Sequence, residues 1–192
     1  MLITQIASPL NYLKIKSMNS KYLFDWLFPI LLTSISCIYL YVVANWDLNF
    51  IIIQSGFIDK LLAFTALLPG FFIAALAAIA TFPRKEIDFA LDNPNVEPTM
   101  KVNYVDKSGV HHKEDIIISR RVFLCSLFSF VTFESIVLLL INLFSSVTVV
   151  PVDTFFVLTS FYVVLVLFIF WQMLTAAFLG LYYLSFRIHL LR

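Results

Sequence analysis

The stretch that decides the fold is VFLCSLFSFVTFESIVLLLINLF, residues 122–144, in which Glu134 is the one ionisable side chain. A helix rises about 1.5 Å per residue, so this stretch is long enough to cross the roughly 30 Å hydrocarbon core of a bilayer. Runs 23–44, 58–82 and 154–186 have the same character. The fourth run would measure roughly 50 Å as a helix, which predicts a strong tilt or a last part that emerges into the cytosol.

The composition indicates the same class of protein. Hydrophobic residues make up 61% of the chain and charged residues 13%, whereas about 25% is typical of a soluble domain. Mean hydropathy is +0.94, and there are 21 phenylalanines. The chain has too few polar atoms to cover its apolar surface in water, so lipid is expected to surround it. We predict an all-α membrane protein with four transmembrane helices.

The placement of basic residues predicts the orientation of these helices. All lysines and arginines except Lys60 fall into three alternate segments: Lys14, Lys16, Lys21, then Arg84, Lys85, Lys101, Lys107, Lys113, Arg120, Arg121, then Arg187 and Arg192. We therefore expect a multi-pass protein of the bacterial inner membrane with both termini in the cytoplasm. The first apolar run reads as an uncleaved anchor, and Met18 offers a second possible start.

Four segments follow from this orientation. Residues 1–22 form a cytosolic N-terminal segment, and residues 23–82 form a first transmembrane hairpin. Residues 83–121 form a cytosolic insert, and residues 122–192 form a second transmembrane hairpin with a cytosolic C-terminal end. Lys21 and Asp25 lie four residues apart at the start of the first run, which predicts an ion pair at the inner membrane surface.

The insert carries the most polar stretch, KVNYVDKSGVHHKED, residues 101–115. Val102 and Tyr104 alternate with polar residues, and Asp106 and Gly109 are typical turn residues, so a β-hairpin is predicted here. A short helix is expected near residues 86–91. The hairpin is either a contact surface or a solvated loop. As a contact surface, its candidate partner-binding residues are Lys101, Asn103, Tyr104, Asp106, Lys107, His111, His112 and Lys113.

Sites for metals, cofactors and nucleic acids are not expected. His111 and His112 are adjacent, so in a strand they point to opposite faces and make a poor metal site. Cys37 and Cys125 lie in apolar runs and read as small core or lipid-facing residues. The sequence has no phosphate-binding glycine loop and no nucleophile–base arrangement, so an enzyme is not expected. The insert is balanced in charge, which argues against direct binding of nucleic acid.

Two polar residues lie deep within the apolar runs. Glu134 and Gln172 are about 18 Å and 22 Å from the predicted cytosolic ends of their helices, close enough in depth to hydrogen-bond. A carboxyl group at such a depth is costly, so Glu134 is expected to face protein or trapped water. It reads either as part of an ion pathway or as a buried residue that fixes the pairing of helices.

Small residues predict where helices approach closely. Gly70, Ala74 and Ala78 form one row with a spacing of four, and Ala176 and Gly180 form another. Pro69 is expected to kink the second helix.

These features support two hypotheses about function. The first is a non-enzymatic membrane scaffold or sensor that oligomerises, with a tetramer among the expected sizes, and presents the insert to a cytosolic protein. The second is a small oligomeric ion channel or transporter that uses Glu134.

Four helices, cytosolic termini, about 190 residues and a central cytosolic hairpin together resemble the KwaA family. The resemblance covers the whole chain as architecture, without a diagnostic motif.

KwaA is the membrane subunit of the bacterial Kiwa anti-phage system. The resemblance implies a homo-oligomer in the inner membrane that detects phage at the envelope. It also implies a cytosolic, DNA-binding partner, KwaB. It assigns no role to any individual residue of this chain.

Overall fold

The computed structural model describes residues 5–15, 19–54, 56–81, 83, 85–89, 98–105, 111–147 and 156–187. It contains four helices that are long and apolar enough to cross a membrane, as the sequence predicts. They are span one (Leu23–Ala44), span two (Asn49–Thr81), span three (Arg120–Phe144) and span four (Phe156–Ser185). A small antiparallel sheet lies between spans two and three, which confirms the predicted all-α class with a β-hairpin insert.

The helices are partly α-helical and partly of other types. The α-helices are Asn19–Tyr22, Phe28–Ala44, Phe57–Thr65, Leu68–Thr81, Lys85–Asp88, Arg120–Val147 and Phe156–Tyr182. A 3₁₀ helix covers Ser8–Lys14, and π-helical turns cover Leu23–Leu27, Asn49–Gln54 and Tyr183–Arg187. The predicted short helix near residues 86–91 is Lys85–Asp88.

Span two begins earlier than the predicted residue 58. The chain reverses at Asn45 and Trp46, both of which have positive φ angles. The Asp47 carboxylate then accepts hydrogen bonds from the backbone N–H groups of Asn49 (3.0 Å) and Phe50 (3.3 Å). A side chain that satisfies these first N–H groups starts a helix. The polar residues around 47–56 therefore belong to the start of span two rather than to a long loop.

Pro69 interrupts span two, in agreement with the predicted kink. The helix Phe57–Thr65 ends before it, and Pro69 is the second residue of the next helix, Leu68–Thr81. Proline has no N–H to donate to the carbonyl of Thr65, and its ring crowds that carbonyl. The chain passes this point in a tighter turn, in which the Leu67 N–H donates to the Phe64 carbonyl at 3.2 Å.

Spans three and four form the centre of the molecule. Half of the most apolar window of span three and 61% of that of span four are buried, against 22% for each of spans one and two. Span three packs against spans two and four and against the 3₁₀ helix, and span one packs against span four. Spans one and two therefore form the two sides of the bundle and keep most of their apolar side chains exposed.

The two rows of small residues have different surroundings. Ala176 and Gly180 are buried, and a Cβ on Gly180 would lie 2.9 Å from Leu127 Cδ2, so spans three and four approach closely there. On span two, Gly70 and Ala74 are exposed, and Ala78 is half-buried. A Cβ on Gly70 would meet nothing within 4 Å. This row therefore does not serve close packing against the described part of the chain.

The sheet of the insert consists of β1 (Thr99–Val105) and β2 (His111–Ile117). The strands pair antiparallel, with a register that runs from Thr99 opposite Ile117 to Val105 opposite His111. The predicted turn, including Asp106 and Lys107, lies outside the described residues.

Candidate functional site

A group of polar side chains lies buried where spans one, three and four meet the N-terminal 3₁₀ helix. We call it the polar cluster, and it comprises Tyr12, Lys21, Asp25, Glu134, Gln172 and Thr175. Each of these side chains is buried. Buried polar groups are costly unless they are paired, so the pairing within the cluster decides what it can do.

Asp25 lies at the centre of the polar cluster. Its Oδ1 accepts a hydrogen bond from Tyr12 Oη at 2.9 Å, and its Oδ2 pairs with Lys21 Nζ. Lys21 Nζ also lies 4.2 Å from the centre of the Tyr12 ring, which is a cation–π arrangement. The predicted Lys21–Asp25 pair is present. Both side chains are buried within the protein, because Lys21 is 5% and Asp25 1% exposed; their location at the inner membrane surface stays a prediction.

Gln172 and Thr175 attach span four to the start of span one. Gln172 Nε2 donates to the backbone carbonyl of Asp25 at 3.0 Å, and Thr175 Oγ1 lies 2.9 Å from the carbonyl of Phe24. Both carbonyls belong to the π-helical turn Leu23–Leu27. A π turn disturbs the regular pattern of helical hydrogen bonds, and such turns are frequent at functional sites. The side chains from span four satisfy carbonyls in this irregular turn.

Glu134 reaches the same region from span three. Gly180 faces Leu127 and Phe128 across the boundary between spans three and four. Because these helices are antiparallel, Gln172 and residues 135–136, next to Glu134, lie at the same level, about 12 Å further along. Glu134 is 6% exposed, and its Oε2 has no hydrogen-bond partner among the described residues. A hydrogen bond between Gln172 and Glu134 within one protomer is not seen among the described residues, where the Gln172 amide donates to the Asp25 carbonyl instead.

Tyr12 closes the polar cluster from the N-terminal side. Its ring stacks on Phe130 at 5.1 Å between centroids and lies 6.0 Å from Phe123. Burial raises the pKa of the Tyr12 phenol well above its ordinary value, and the negative charge of Asp25 raises it further. A negative charge on Glu134 would act on Tyr12 in the same direction, which places Glu134 within electrostatic reach of the cluster. Tyr12 is therefore neutral at physiological pH.

Two tryptophans connect spans one and four beyond the polar cluster. Trp171 Nε1 donates to Ser36 Oγ at 2.9 Å, and Trp46 Nε1 donates to Ser160 Oγ at 3.1 Å. Hydrogen bonds between helices fix their pairing where lipid gives apolar surfaces little reason to associate. Span one is thus held on span four by polar contacts along its length.

A second group of polar contacts, centred on Arg121, lies where the insert joins spans two and three. We call it the root of the insert. Its Nη1 donates to the carbonyl of Ile79 at 2.8 Å, near the end of span two. Its Nε and Nη2 bind the two carboxylate oxygens of Asp88 at 2.6 and 3.2 Å. This hydrogen bonding lowers the pKa of Asp88 below its ordinary value. One guanidinium group therefore joins the start of span three, the end of span two and the short helix Lys85–Asp88.

Backbone hydrogen bonds and a buried side chain complete the root. The Ile118 N–H donates to the Pro98 carbonyl at 3.1 Å, and the Arg120 N–H donates to the Phe89 carbonyl at 3.1 Å. Ile118 itself is fully buried. These contacts hold the chain around Phe89 and Pro98 against the chain that leads into span three.

The candidate partner-binding residues lie on both strands of the hairpin. Lys101, Asn103 and Tyr104 belong to β1, and His111, His112 and Lys113 belong to β2. Asn103 pairs with Lys113 and Tyr104 with His112, so the hairpin brings these four residues together. Within the described part of the chain, no group of three or more His, Cys, Asp or Glu residues could hold a metal ion.

The polar cluster is the part of the site that the sequence reveals least. The spacing of Lys21 and Asp25 indicates their pairing, and the apolar surroundings of Glu134 indicate its burial. No local signal marks Tyr12, because its burial depends on Phe123 and Phe130, more than a hundred residues further along the chain. Comparison with protein families, curated proteins and solved structures finds no match to this chain.

Proposed function

We propose that this chain is a non-enzymatic scaffold and sensor of the bacterial inner membrane, with both termini in the cytoplasm. It assembles with copies of itself and recruits a cytosolic protein through the β1–β2 hairpin. The observation that supports this most directly is the bonding of Arg121. Because one side chain holds both the end of span two and Asp88 in the insert, movement of spans two and three is transmitted to the base of the hairpin.

The form of the insert favours recruitment over a simple connection. A few residues would suffice to join spans two and three, and an isolated two-stranded hairpin is marginally stable in water. Here the Ile118 N–H donates to the Pro98 carbonyl and closes the base of the hairpin, and β2 leads directly into span three at Arg120. Its strands have open edges, and an open edge is a surface on which another protein can add a strand.

The proposed context is anti-phage defence, in line with the resemblance to the KwaA family. The partner would then be a cytosolic, DNA-binding protein of the KwaB kind, and the chain itself would not touch nucleic acid. A disturbance of the envelope would shift the packing of the spans, and an assembly with two states would respond to that shift. The exposed Gly70 and Ala74 on span two offer a surface on which a second copy could approach closely.

The test is a phage-plating assay with the protein encoded beside this chain in its genome, combined with co-purification of the two proteins. In one variant, residues 101–115 are replaced by a short glycine-serine linker, which leaves Ile118 and Arg121 in place. We expect loss of co-purification and of protection with unchanged membrane level. The control replaces the exposed Lys60 on span two with glutamine, and it should keep both properties. Retained binding by the linker variant would contradict recruitment through the hairpin.

The alternative function is an oligomeric ion channel or transporter that uses Glu134. The observation in its favour is the buried Oε2 without a hydrogen-bond partner among the described residues. Ion flux into proteoliposomes that is abolished by Glu134→Gln, and unaffected by Asp88→Asn in the insert, would favour it. Flux that is absent from the unaltered protein would exclude it.

A further inference from the structure

The charges of the polar cluster do not balance if every group takes its usual ionisation. Lys21 contributes one positive charge, and Asp25 contributes one negative charge that it directly contacts. Tyr12 is neutral and donates a hydrogen bond to Asp25. An ionised Glu134 would add a second buried negative charge, with no cation left among the described residues of the cluster to compensate it.

The described neighbours of Glu134 offer no other compensation. The 3₁₀ helix contributes Tyr12, the start of span one contributes Asp25, and span four contributes the neutral amide of Gln172. Asp59 and Lys60 on span two are exposed rather than directed inward. Glu134 Oε2 accepts no hydrogen bond from a described residue, whereas an ionised carboxylate oxygen in a protein interior normally accepts at least one.

We propose that the polar cluster is a binding site for one proton, which is carried by the carboxyl group of Glu134 while the N-terminal 3₁₀ helix is packed in place. A proton removes the uncompensated charge without any need for additional ligands. A sodium ion would need a cage of several oxygen ligands, as hard cations do. Both carboxylate oxygens of Asp25, the other acid of the polar cluster, are already bonded to Tyr12 and Lys21.

The bound proton has a consequence for the N-terminal segment. Loss of the proton would place a negative charge beside Asp25 and beside the buried Tyr12 ring, which the Lys21–Asp25 pair could not offset. Hydration of this charge requires water to enter, and the 3₁₀ helix covers the cluster from the N-terminal side through Tyr12. Ionisation of Glu134 therefore favours release of residues 8–14 from span three.

The experiment is infrared spectroscopy of the full-length protein in lipid nanodiscs, with ¹³C in the carboxyl groups of its glutamates. The chain has three further glutamates, Glu86, Glu97 and Glu114, all in the insert. We expect a protonated-carboxyl band at neutral pH that shifts with ¹³C labelling of glutamate. The band should disappear in Glu134→Gln and persist in Glu114→Gln and Glu86→Gln.

Three outcomes would overturn the proposal. The first is the absence of a protonated glutamate band at neutral pH in the unaltered protein. The second is a band that survives Glu134→Gln in protein whose thermal unfolding shows that it is folded. The third is a band that sodium chloride removes and choline chloride does not, since this would assign the site to a cation. None of these results depends on partner capture by the hairpin, so the recruitment function stands or falls separately.

Release of the 3₁₀ helix is measured on the same sample by hydrogen–deuterium exchange of residues 8–14. We expect exchange to increase as the infrared band is lost at alkaline pH in the unaltered protein. In Glu134→Gln, which cannot ionise, exchange of this segment should stay low across the same pH range. An equal increase in both proteins would contradict the link between the proton and the segment.

Discussion

At the scale of single residues, breaking the Lys21–Asp25 pair is expected to lower the stability of the molecule strongly. Both side chains are almost fully buried, so removal of one partner leaves the other charge without compensation. Lys21→Met should lower the free energy of unfolding by about 3–5 kcal/mol, as breaking a buried ion pair does. Unfolding in mixed detergent micelles, followed by circular dichroism, measures the change.

The matched control for this prediction is Lys60→Met. Lys60 is exposed in the helix Phe57–Thr65, and substitutions at such positions usually change stability by about 0.5 kcal/mol or less. The triple change Lys21→Met, Asp25→Leu and Tyr12→Phe removes both charges of the pair together with the phenol hydroxyl that binds Asp25. It should recover much of the loss, because an apolar set of similar volume needs no pairing. If Lys21→Met were as stable as the Lys60→Met control, the Lys21–Asp25 ion pair would not contribute to stability as predicted.

At the scale of secondary-structure elements, Gly180 lies where two helices approach closely, whereas Gly70 has the same spacing to small residues without such a contact. Gly180→Leu places a branched side chain against Leu127 and Phe128, where a Cβ alone would already lie 2.9–3.3 Å from their side chains. Overpacking of this kind costs about 1–3 kcal/mol or more. Gly70→Leu introduces the same residue into open space and should leave the monomer as stable as before. Thermal unfolding of both variants in detergent distinguishes them.

The attachment of the insert to spans two and three depends on pH. Arg121 holds the pKa of Asp88 below its ordinary value, so the carboxylate stabilises the root of the insert throughout the neutral range. This contribution is present above the pKa of Asp88 in the unfolded chain and is lost as the pH falls through the lower folded pKa. NMR titration of ¹³C-labelled aspartate should show that Arg121→Gln moves the Asp88 midpoint upward. An unchanged midpoint would show that the guanidinium does not bind the carboxylate in solution.

The sequence predicts the elements better than it predicts their contacts. Hydropathy and length identify the four spans because each is an uninterrupted apolar run, and Pro69 marks the break in span two. Alternating residues and turn signals identify the hairpin. The start of span two at Asn49 is missed because the carboxylate of Asp47, which caps it, also reads as a loop residue. The burial of Lys21 and Asp25 within the protein is missed because it depends on the 3₁₀ helix and span four covering them.

At the scale of the whole molecule, the contacts between elements explain why spans one and two differ from spans three and four. Spans three and four share the close approach at Gly180 and form the buried centre. Span one is held to span four by Trp171, Trp46 and the polar cluster, and span two is joined to span three through Arg121. The polar cluster and the root of the insert both involve span three. A shift of span three relative to its neighbours would therefore affect both.

The orientation of the molecule in the membrane is the prediction that the proposed function needs most. Basic residues are retained on the cytoplasmic side, and twelve of the thirteen fall in residues 1–22, 83–121 and the C-terminal end. In a variant with Cys37 and Cys125 replaced by alanine, Gly109→Cys should resist a membrane-impermeant maleimide in intact cells and react after the inner membrane is permeabilised. Val149→Cys, in the connection between spans three and four, should react in intact cells. Labelling of Gly109→Cys in intact cells would place the hairpin in the periplasm, where it could not recruit a cytosolic protein.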